Sequence, residues 1–566
     1  MLTILINWTY IGGITLIVGS ACMQALTKAF RSDYRYGIFH MVFAGIMVTT
    51  CYAQIFSLFT GVGLLANVIL LLFCLCYLIM GKGSIRQVFS GFGSDGTPVI
   101  RTRIGILVAV IAVICFALAS SGPAKLIDTD WYHAQTIRWI EEYGCVKGIA
   151  NLFTSLGFNS SQHYFDALFS MKFLFGQSMK GTGGFFGLLL FLHGWSRLVK
   201  VRKSGGHIAD AMAVAEIVYV IIITAFFTDP YTDTLPNCLS FFILTEWIAL
   251  LEEKEADVFP YAYLCILAVF ATVVKTSAVI MILLVIQPAV ILIKHKEWKK
   301  IIGYLVIGIA VAVPFFLTNI RTSGYLVYLA SGVDLFDVPW KIDVEILKHS
   351  VDSMIHDARG VNKTMEEVMN AGLTWIPDWF RNDSLSHQIL YLAILAVMVF
   401  DWTMIIINLV KRQKQDGKML LVRGVVYLSL IYWLMTIPQV KYCWAYLLAP
   451  LALVPAYYLR HMQGRLRWLV WGSGALAAGV LLMYTAFYSY RTMGYIRTAI
   501  PDYLIWQADY ERHEMKPVKK DSHTFFVREE EGDILCGYYV FPYLHDEEIL
   551  ESLVVGESLR DGFYLK

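Results

Sequence analysis

The sequence has none of the compact motifs that seat soluble nucleotide or zinc chemistry: no Walker loop, no GxGxxG after a strand and no HExxH. It has no CxxC pair either. Most of its ten cysteines (Cys22, Cys51, Cys74, Cys76, Cys115, Cys145, Cys238, Cys265, Cys443 and Cys536) fall inside apolar runs as small fillers. Only Cys145, Cys238 and Cys536 are expected on the external side, which allows one disulfide and gives no support to a metal cluster. Charge is scarce, at 16% of residues, and the net charge of +2 comes without a basic patch, so no nucleic-acid partner is implied. No basic stretch precedes the first apolar run, and Lys28 and Arg31 follow it, the pattern of a retained anchor rather than a cleaved signal.

What the chain has in excess is apolar sequence, 57% of its residues. A membrane crossing needs about 20 apolar residues. On that measure fourteen segments qualify, near 4–26, 38–59, 62–80, 104–121, 183–199, 208–227, 236–251, 258–273, 276–293, 301–317, 389–410, 419–437, 442–459 and 468–487. The expected fold is therefore an all-α polytopic membrane protein of 12 to 14 spans. If every span alternates, seven short loops holding 23 of the 46 basic residues fall on one side, which the retention of basic loops makes cytoplasmic. Both termini and two long loops then lie outside. The expected divisions are a four-span region (1–121), an external loop (122–182), central spans (183–317), a second external loop (318–388), further spans (389–487) and an external tail (488–566).

The densest polar stretch between spans is residues 126–144, LIDTDWYHAQTIRWIEEYG. Polar groups so crowded beside lipid are costly without a use, which makes this the expected active site. Gly122 and Pro123 end the fourth span, and the stretch after them lacks both residues, so a helix is expected as far as Tyr143. Asp128 then has two readings, an N-cap or a working carboxylate. Asp130 and His133 are expected to share one helical face, and Arg138 to meet Glu141 or Glu142. Trp131, Tyr132, Trp139 and Tyr143 suit a helix lying at the headgroup level. A carboxylate in such a place can hold a raised pKa and take a proton from a sugar hydroxyl, with His133 as the other possible base.

Residues 259–293 are too long for one span, and Lys275 interrupts them, so two short spans turning at Lys275 are expected. That lysine either snorkels or binds an anion. Lys275, Arg321 and Lys441 stand at external span ends and, with Arg138, are the cations available to a departing phosphate. Gln135 on the motif helix and Asn159 in FNSS complete the expected substrate-binding set. In the tail, SHTFFV and CGYYVFPYL read as short strands of a small mixed α/β domain against the outer membrane face, near the size where a core of its own becomes marginal. The run 528–533 reads as a solvated turn rather than a metal site. Trp340, Trp375 and Trp379 suit an external cap over a cavity.

An acidic pair in an external loop of a protein with about a dozen spans resembles the polytopic C-type (GT-C) glycosyltransferases. DTDWYHAQTIRWIEEYG, GIANL, LGFNSS, RTSGYLVY, DLFDVPWKI, GDILCGYYVFPY and LRDGFYLK together resemble a little-characterised group of bacterial multi-span proteins of that build. The resemblance implies transfer of a sugar from a polyprenyl-phosphate donor to an envelope glycan, glycolipid or protein acceptor. It places the reaction on the external face of the inner membrane. No cofactor is expected to be required, and the second aspartate can position the acceptor or bind a divalent ion, alternatives that a DxD alone is too short to decide. The resemblance further implies an inverting displacement with Asp128 or Asp130 as general base, Asp128 being preferred for its nearness to the membrane exit. The acidic pair here follows the fourth span, whereas in many such enzymes it follows the first. The rival reading is a transporter or flippase of lipid-linked saccharides, which would be expected to show paired halves with matching broken spans.

Overall fold

The computed structural model describes residues 1–80, 102–201, 206–360, 363–499, 504–527 and 535–566. All fourteen apolar segments fall on helices. Before the motif come α1 (Leu2–Phe30), α2 (Ile38–Ser57), α3 (Leu64–Met80) and α4 (Arg103–Ala119). After it come a short α5 (Ala134–Glu142) and α6 (Ser161–Leu168), then α7 (Thr182–Val201), α8 (Ile208–Ile223), α9 (Thr234–Glu252) and α10 (Phe259–Val274). The chain continues through α11 (Ile286–Lys294), α12 (Trp298–Ser323), α13 (Val344–Arg359), α14 (Leu385–Val410), α15 (Gly417–Met435), α16 (Trp444–Leu459) and α17 (Gln463–Ala499).

Among the described residues, nine helices are long and apolar enough to cross a membrane, and three more, α3, α4 and α10, are shorter apolar helices. The chain is thus a polytopic helical membrane protein. Several helices keep an outward apolar face: Leu64, Leu65, Leu71 and Leu72 of α3 and Ile302, Leu305, Val306 and Ile309 of α12 are all exposed.

Two features show how polar and small residues lock the bundle. The first is a close crossing of α1 and α2. A Cβ on Gly45 would stand 1.8 Å from the carbonyl oxygen of Thr15, and one on Gly19 would stand 1.7 Å from that of Met41, so only glycine permits this approach. The second is a buried ion pair: Arg423 Nη1 of α15 lies 2.5 Å from Asp401 Oδ1 of α14. The Asp401 carboxylate also accepts from Tyr427 (2.6 Å) and from Tyr458 of α16 (2.8 Å). This network ties α14, α15 and α16 into one wall.

The break expected at Lys275 is present. The residue leaves helical geometry at φ −152°, ψ 126°, and Thr276–Val285 then run as a 3-10 helix before α11 begins. Ten residues is long for this tighter winding, whose hydrogen bonds are poorer and whose runs rarely exceed three or four residues. The combined segment Thr276–Lys294 has the length of a span.

The tail is no separate unit. Hairpin β1 (Lys516–Lys520) to β2 (His523–Val527) and a second pair, β3 (Leu553–Val555) with β4 (Phe563–Leu565), are both antiparallel. SHTFFV therefore matches the strand expectation as β2, and its partner β1 was not foreseen. CGYYVFPYL is instead a run of turns joined to β2 through a single bridge, Phe526 to Tyr543. Phe525, Val527, Val540, Leu544 and Phe563 share one core with Trp139, Val146, Leu152, Phe153 and Leu156 of the motif loop. A tail too small for its own core borrows half of one. This corrects the expectation of an interfacial helix, because Trp139 is 1% exposed and packs on Phe541 rather than on headgroups. The run 528–533 lies outside the described residues.

Candidate functional site

The motif begins where α4 ends, and a single buried carboxylate sets its course. Asp229, in the loop between α8 and α9, accepts through Oδ1 from the amides of Lys125 (3.0 Å) and Leu126 (3.1 Å) and from Thr129 Oγ1 (2.7 Å). Its second oxygen accepts from Thr228 (3.0 Å). Free amides at the start of a helical segment need an acceptor, and here it comes from a segment about a hundred residues away. Asp128 is therefore released from that task and makes no side-chain cap hydrogen bond. The chain from Thr129 to His133 winds as a π-helix, a wider i→i+5 turn that recurs at functional sites.

The wider turn separates side chains that an α-helix would have aligned. Asp128 points to the bundle, where Lys441 Nζ lies 2.9 Å from Oδ2. Asp130 points the other way, toward Glu511 and His513 of the tail. His133 meets neither aspartate; its Nδ1 lies 2.7 Å from His163 Nε2. The expectation that Asp130 and His133 share a face is corrected accordingly. Burial pushes the His133 imidazole well down, helped by His163, and pushes His163 down to about 3, so the pair is neutral.

Lys441 stands on the connection between α15 and α16. Burial works against its charge, but Tyr442, Asp233 and Asp128 beside it more than offset this and hold it above the ordinary lysine range. A second pair repeats the arrangement: Lys275 Nζ, at the broken span, lies 2.5 Å from Asp233 Oδ1 at the start of α9. The two ammonium groups lie 4.3 Å (Lys275) and 5.4 Å (Lys441) from the centre of the Tyr442 ring. Two carboxylates, two lysines and one tyrosine thus form a compact polar cluster.

The cluster borders a cavity of about 400 Å³ that Lys275, Tyr132, His163, Tyr442 and Arg359 line among mostly apolar neighbours. His163 Nδ1 and Arg359 Nε have no hydrogen-bond partner. The Arg359 head is held at one edge by the carbonyl oxygen of Thr436 (2.8 Å) and lies over the Trp375 ring at 4.6 Å. Of the tryptophans expected in a cap, Trp375 supports this arginine, whereas Trp379 and Trp340 donate to the carbonyls of Pro438 (3.2 Å) and Ile320 (2.9 Å).

Of the expected site residues, Asp128, Lys275 and Lys441 come together. The others have different work. Gln135 donates to the carbonyls of Gly537 (2.9 Å) and Val540 (2.5 Å), and Arg138 to those of Tyr538 (2.9 Å) and Tyr539 (3.3 Å), so both hold the tail. Arg138 also pairs with Glu142 at 3.0 Å, as its spacing predicts. Asn159 is 3% exposed and donates to Thr318 Oγ1 and Asn319 Oδ1, both at 2.9 Å, which knits the loop to the end of α12. Arg321 donates to the Leu58 carbonyl at 2.9 Å, closing α12 onto the end of α2. The cysteines are all free, and Cys145, Cys238 and Cys536 each donate to a backbone carbonyl, which overturns the allowance for a disulfide.

Sequence reading missed Asp229, Asp233, His163 and Arg359. The signal for the first two was present: DPYTD sets two acids between two apolar helices, the argument that had singled out the DTD motif.

Fold and site together define a membrane protein with a polar cluster at the edge of an apolar cavity. The chain matches the family described as a domain of unknown function, DUF8201, over residues 1–448 and belongs to it. No curated protein and no solved structure matches it.

Proposed function

We propose that the protein is a membrane glycosyltransferase that moves a sugar from a polyprenyl-phosphate donor to an envelope glycan, glycolipid or protein acceptor on the external face of the inner membrane. The observation that carries this reading is the pairing of Asp128 with Lys441 and of Lys275 with Asp233 beside a largely apolar cavity. A lipid phosphate needs an apolar space for its first isoprene units and cations for its charge, and both occur there together. The acceptor hydroxyl gives its proton to Asp128 while its oxygen bonds to the anomeric carbon. The bond from that carbon to the phosphate oxygen breaks, and the electron pair leaves on the phosphate. Lys275 and the unpartnered Nε of Arg359 receive the charge that develops there. Lys441 fixes the direction of the Asp128 carboxylate, and the resemblance of the DTD motif to GT-C enzymes points the same way.

A carrier of lipid-linked saccharides is the second reading, and the broken span at Lys275 favours it, since transporters place substrate at such breaks. Donor turnover by the purified full-length protein in detergent separates the two. A carrier has no membrane to cross there and leaves the donor intact, whereas a transferase consumes it.

A further inference from the structure

Asp130 plays no part in the cavity, yet it is the most awkwardly placed acid in the motif. It is 9% exposed, its Oδ1 is sealed from solvent and has no hydrogen-bond partner, and the two cations that act on its charge, His513 and Lys180, are opposed by the carboxylates of Glu511 and Asp229. A buried carboxylate in that condition costs several kcal/mol unless something compensates its charge. What stands opposite is Glu511 and His513, with one ligand atom from each of the three residues within 4.8 Å of the others. Two carboxylates and an imidazole gathered this closely around a buried acid describe a cation site better than an ion pair.

The surroundings are built to hold this convergence. The main-chain carbonyl of Asp130 accepts from the amides of Cys536 (3.0 Å) and Gly537 (2.8 Å), which fixes the tail against the π turn. Gly537 adopts φ +59°, and a Cβ there would come within 2.8 Å of His513 Cδ2, so the glycine makes room for the ring. Cys536 is not a fourth ligand, because its thiol donates to the carbonyls of Asp130 and Trp131. Lys180, the buried ammonium nearby, is engaged with the Asp509 carbonyl at 3.0 Å.

We propose that Asp130, Glu511 and His513 bind one divalent transition-metal ion, Zn²⁺ by preference, which clasps the tail to the turn that carries Asp128. Imidazole with carboxylates suits zinc and its first-row neighbours, and three protein ligands leave a fourth position for water. Ligand atoms on a common tetrahedral zinc at 2.0–2.2 Å lie about 3.3–3.6 Å apart, so groups within 4.8 Å of one another need to close by at most about 1.5 Å. The ion sits two residues from Asp128 but outside the cavity, and its role is to hold the turn rather than to touch substrate. The inference therefore stands or falls independently of the transferase reading.

The test uses the full-length protein in detergent, stripped with EDTA and equilibrated with Zn²⁺ or Mn²⁺ alone. Bound metal is measured by mass spectrometry, and tryptic cleavage of the tail is followed in parallel. The expected result is one ion per chain, with cleavage slowed on reloading. Glu511→Gln and His513→Gln, both on the accessible side of the site, each weaken binding about 100-fold or more, since loss of a supporting group alone costs about 10–100-fold. Mn²⁺ binding with the same residue dependence supports the site equally. Failure of the stripped protein to take up either ion overturns the proposal, as does undiminished binding in both variants.

Discussion

The Asp401–Arg423 pair offers the sharpest quantitative test of how the bundle is held. Asp401→Asn keeps the size of the side chain and leaves oxygen and nitrogen for Tyr427 and Tyr458, but strands a guanidinium that is 1% exposed between spans. Its remaining contacts are all with neutral groups: a 3.4 Å bond to the Met419 carbonyl, the Tyr458 hydroxyl and the Tyr457 ring 4.4 Å away, with Nη2 unpartnered. Removing one partner of a buried pair costs about 3–5 kcal/mol. An arginine at a helix centre costs about 2.5–3.5 kcal/mol on insertion scales. The single variant should therefore lose about 3–4 kcal/mol. Adding Arg423→Leu removes the stranded charge, and replacing a buried pair by apolar groups is often neutral. The double variant should therefore regain about 2–3 kcal/mol, a large negative coupling. Reversible unfolding in mixed SDS micelles, followed by tryptophan fluorescence, reads all four corners of the cycle. An Asp401→Asn protein within about 1 kcal/mol of wild type, or additive losses in the double variant, would refute the reasoning.

Three further outcomes follow from the same structure. Asp166, in the loop helix α6, is buried, and burial pushes its carboxyl up to about 7 from 3.8, which the neighbouring Thr182 and Gln162 side chains only partly offset. Its folded-state pKa lies above the unfolded one, so its contribution is complete below about 3.8 and is lost as pH rises through about 7, a change of about 4 kcal/mol. Melting curves of Asp166→Asn should consequently be flatter between pH 5 and 8 than those of wild type; parallel curves would contradict this. Replacing Gln135 and Arg138 together by Ala removes four bonds to the tail and should speed proteolysis of residues 504–566 without unfolding the bundle, as checked by gel bands against circular dichroism. Gly45→Ala forces α1 from α2 and should cost about 1–3 kcal/mol in the unfolding assay, whereas an unchanged midpoint would mean that the close crossing is dispensable.

Much of the helical character was legible because lipid imposes a simple length rule: all fourteen apolar segments fall on helices, of which nine among the described residues have the length and composition of a span and three more are shorter apolar helices, and the break at Lys275 sits where a charge interrupts a run too long for one span. The site was legible only in part. Asp128, Lys275 and Lys441 were visible as charges at span ends, but nothing local indicates that Lys441 pairs with a residue 313 positions away. The same distance hid Asp229, whose hydrogen bonds to Lys125 and Leu126 remove the need for Asp128 to cap the helix. Helical periodicity also misled at Asp130 and His133, because a π turn changes which residues share a face. Gln135 and Arg138 looked like ligand contacts for want of the tail, whose carbonyls they bind.

Turnover of a polyprenyl-phosphate sugar by purified wild type and by Asp128→Asn, each confirmed as folded, bears most directly on the proposed chemistry. Removing a general base costs about 10²–10⁴ in rate, so the variant should bind donor as well as wild type and transfer its sugar slower by that factor. A folded Asp128→Asn protein with full turnover, or a wild type that binds donor and leaves it intact with acceptor present, would contradict it.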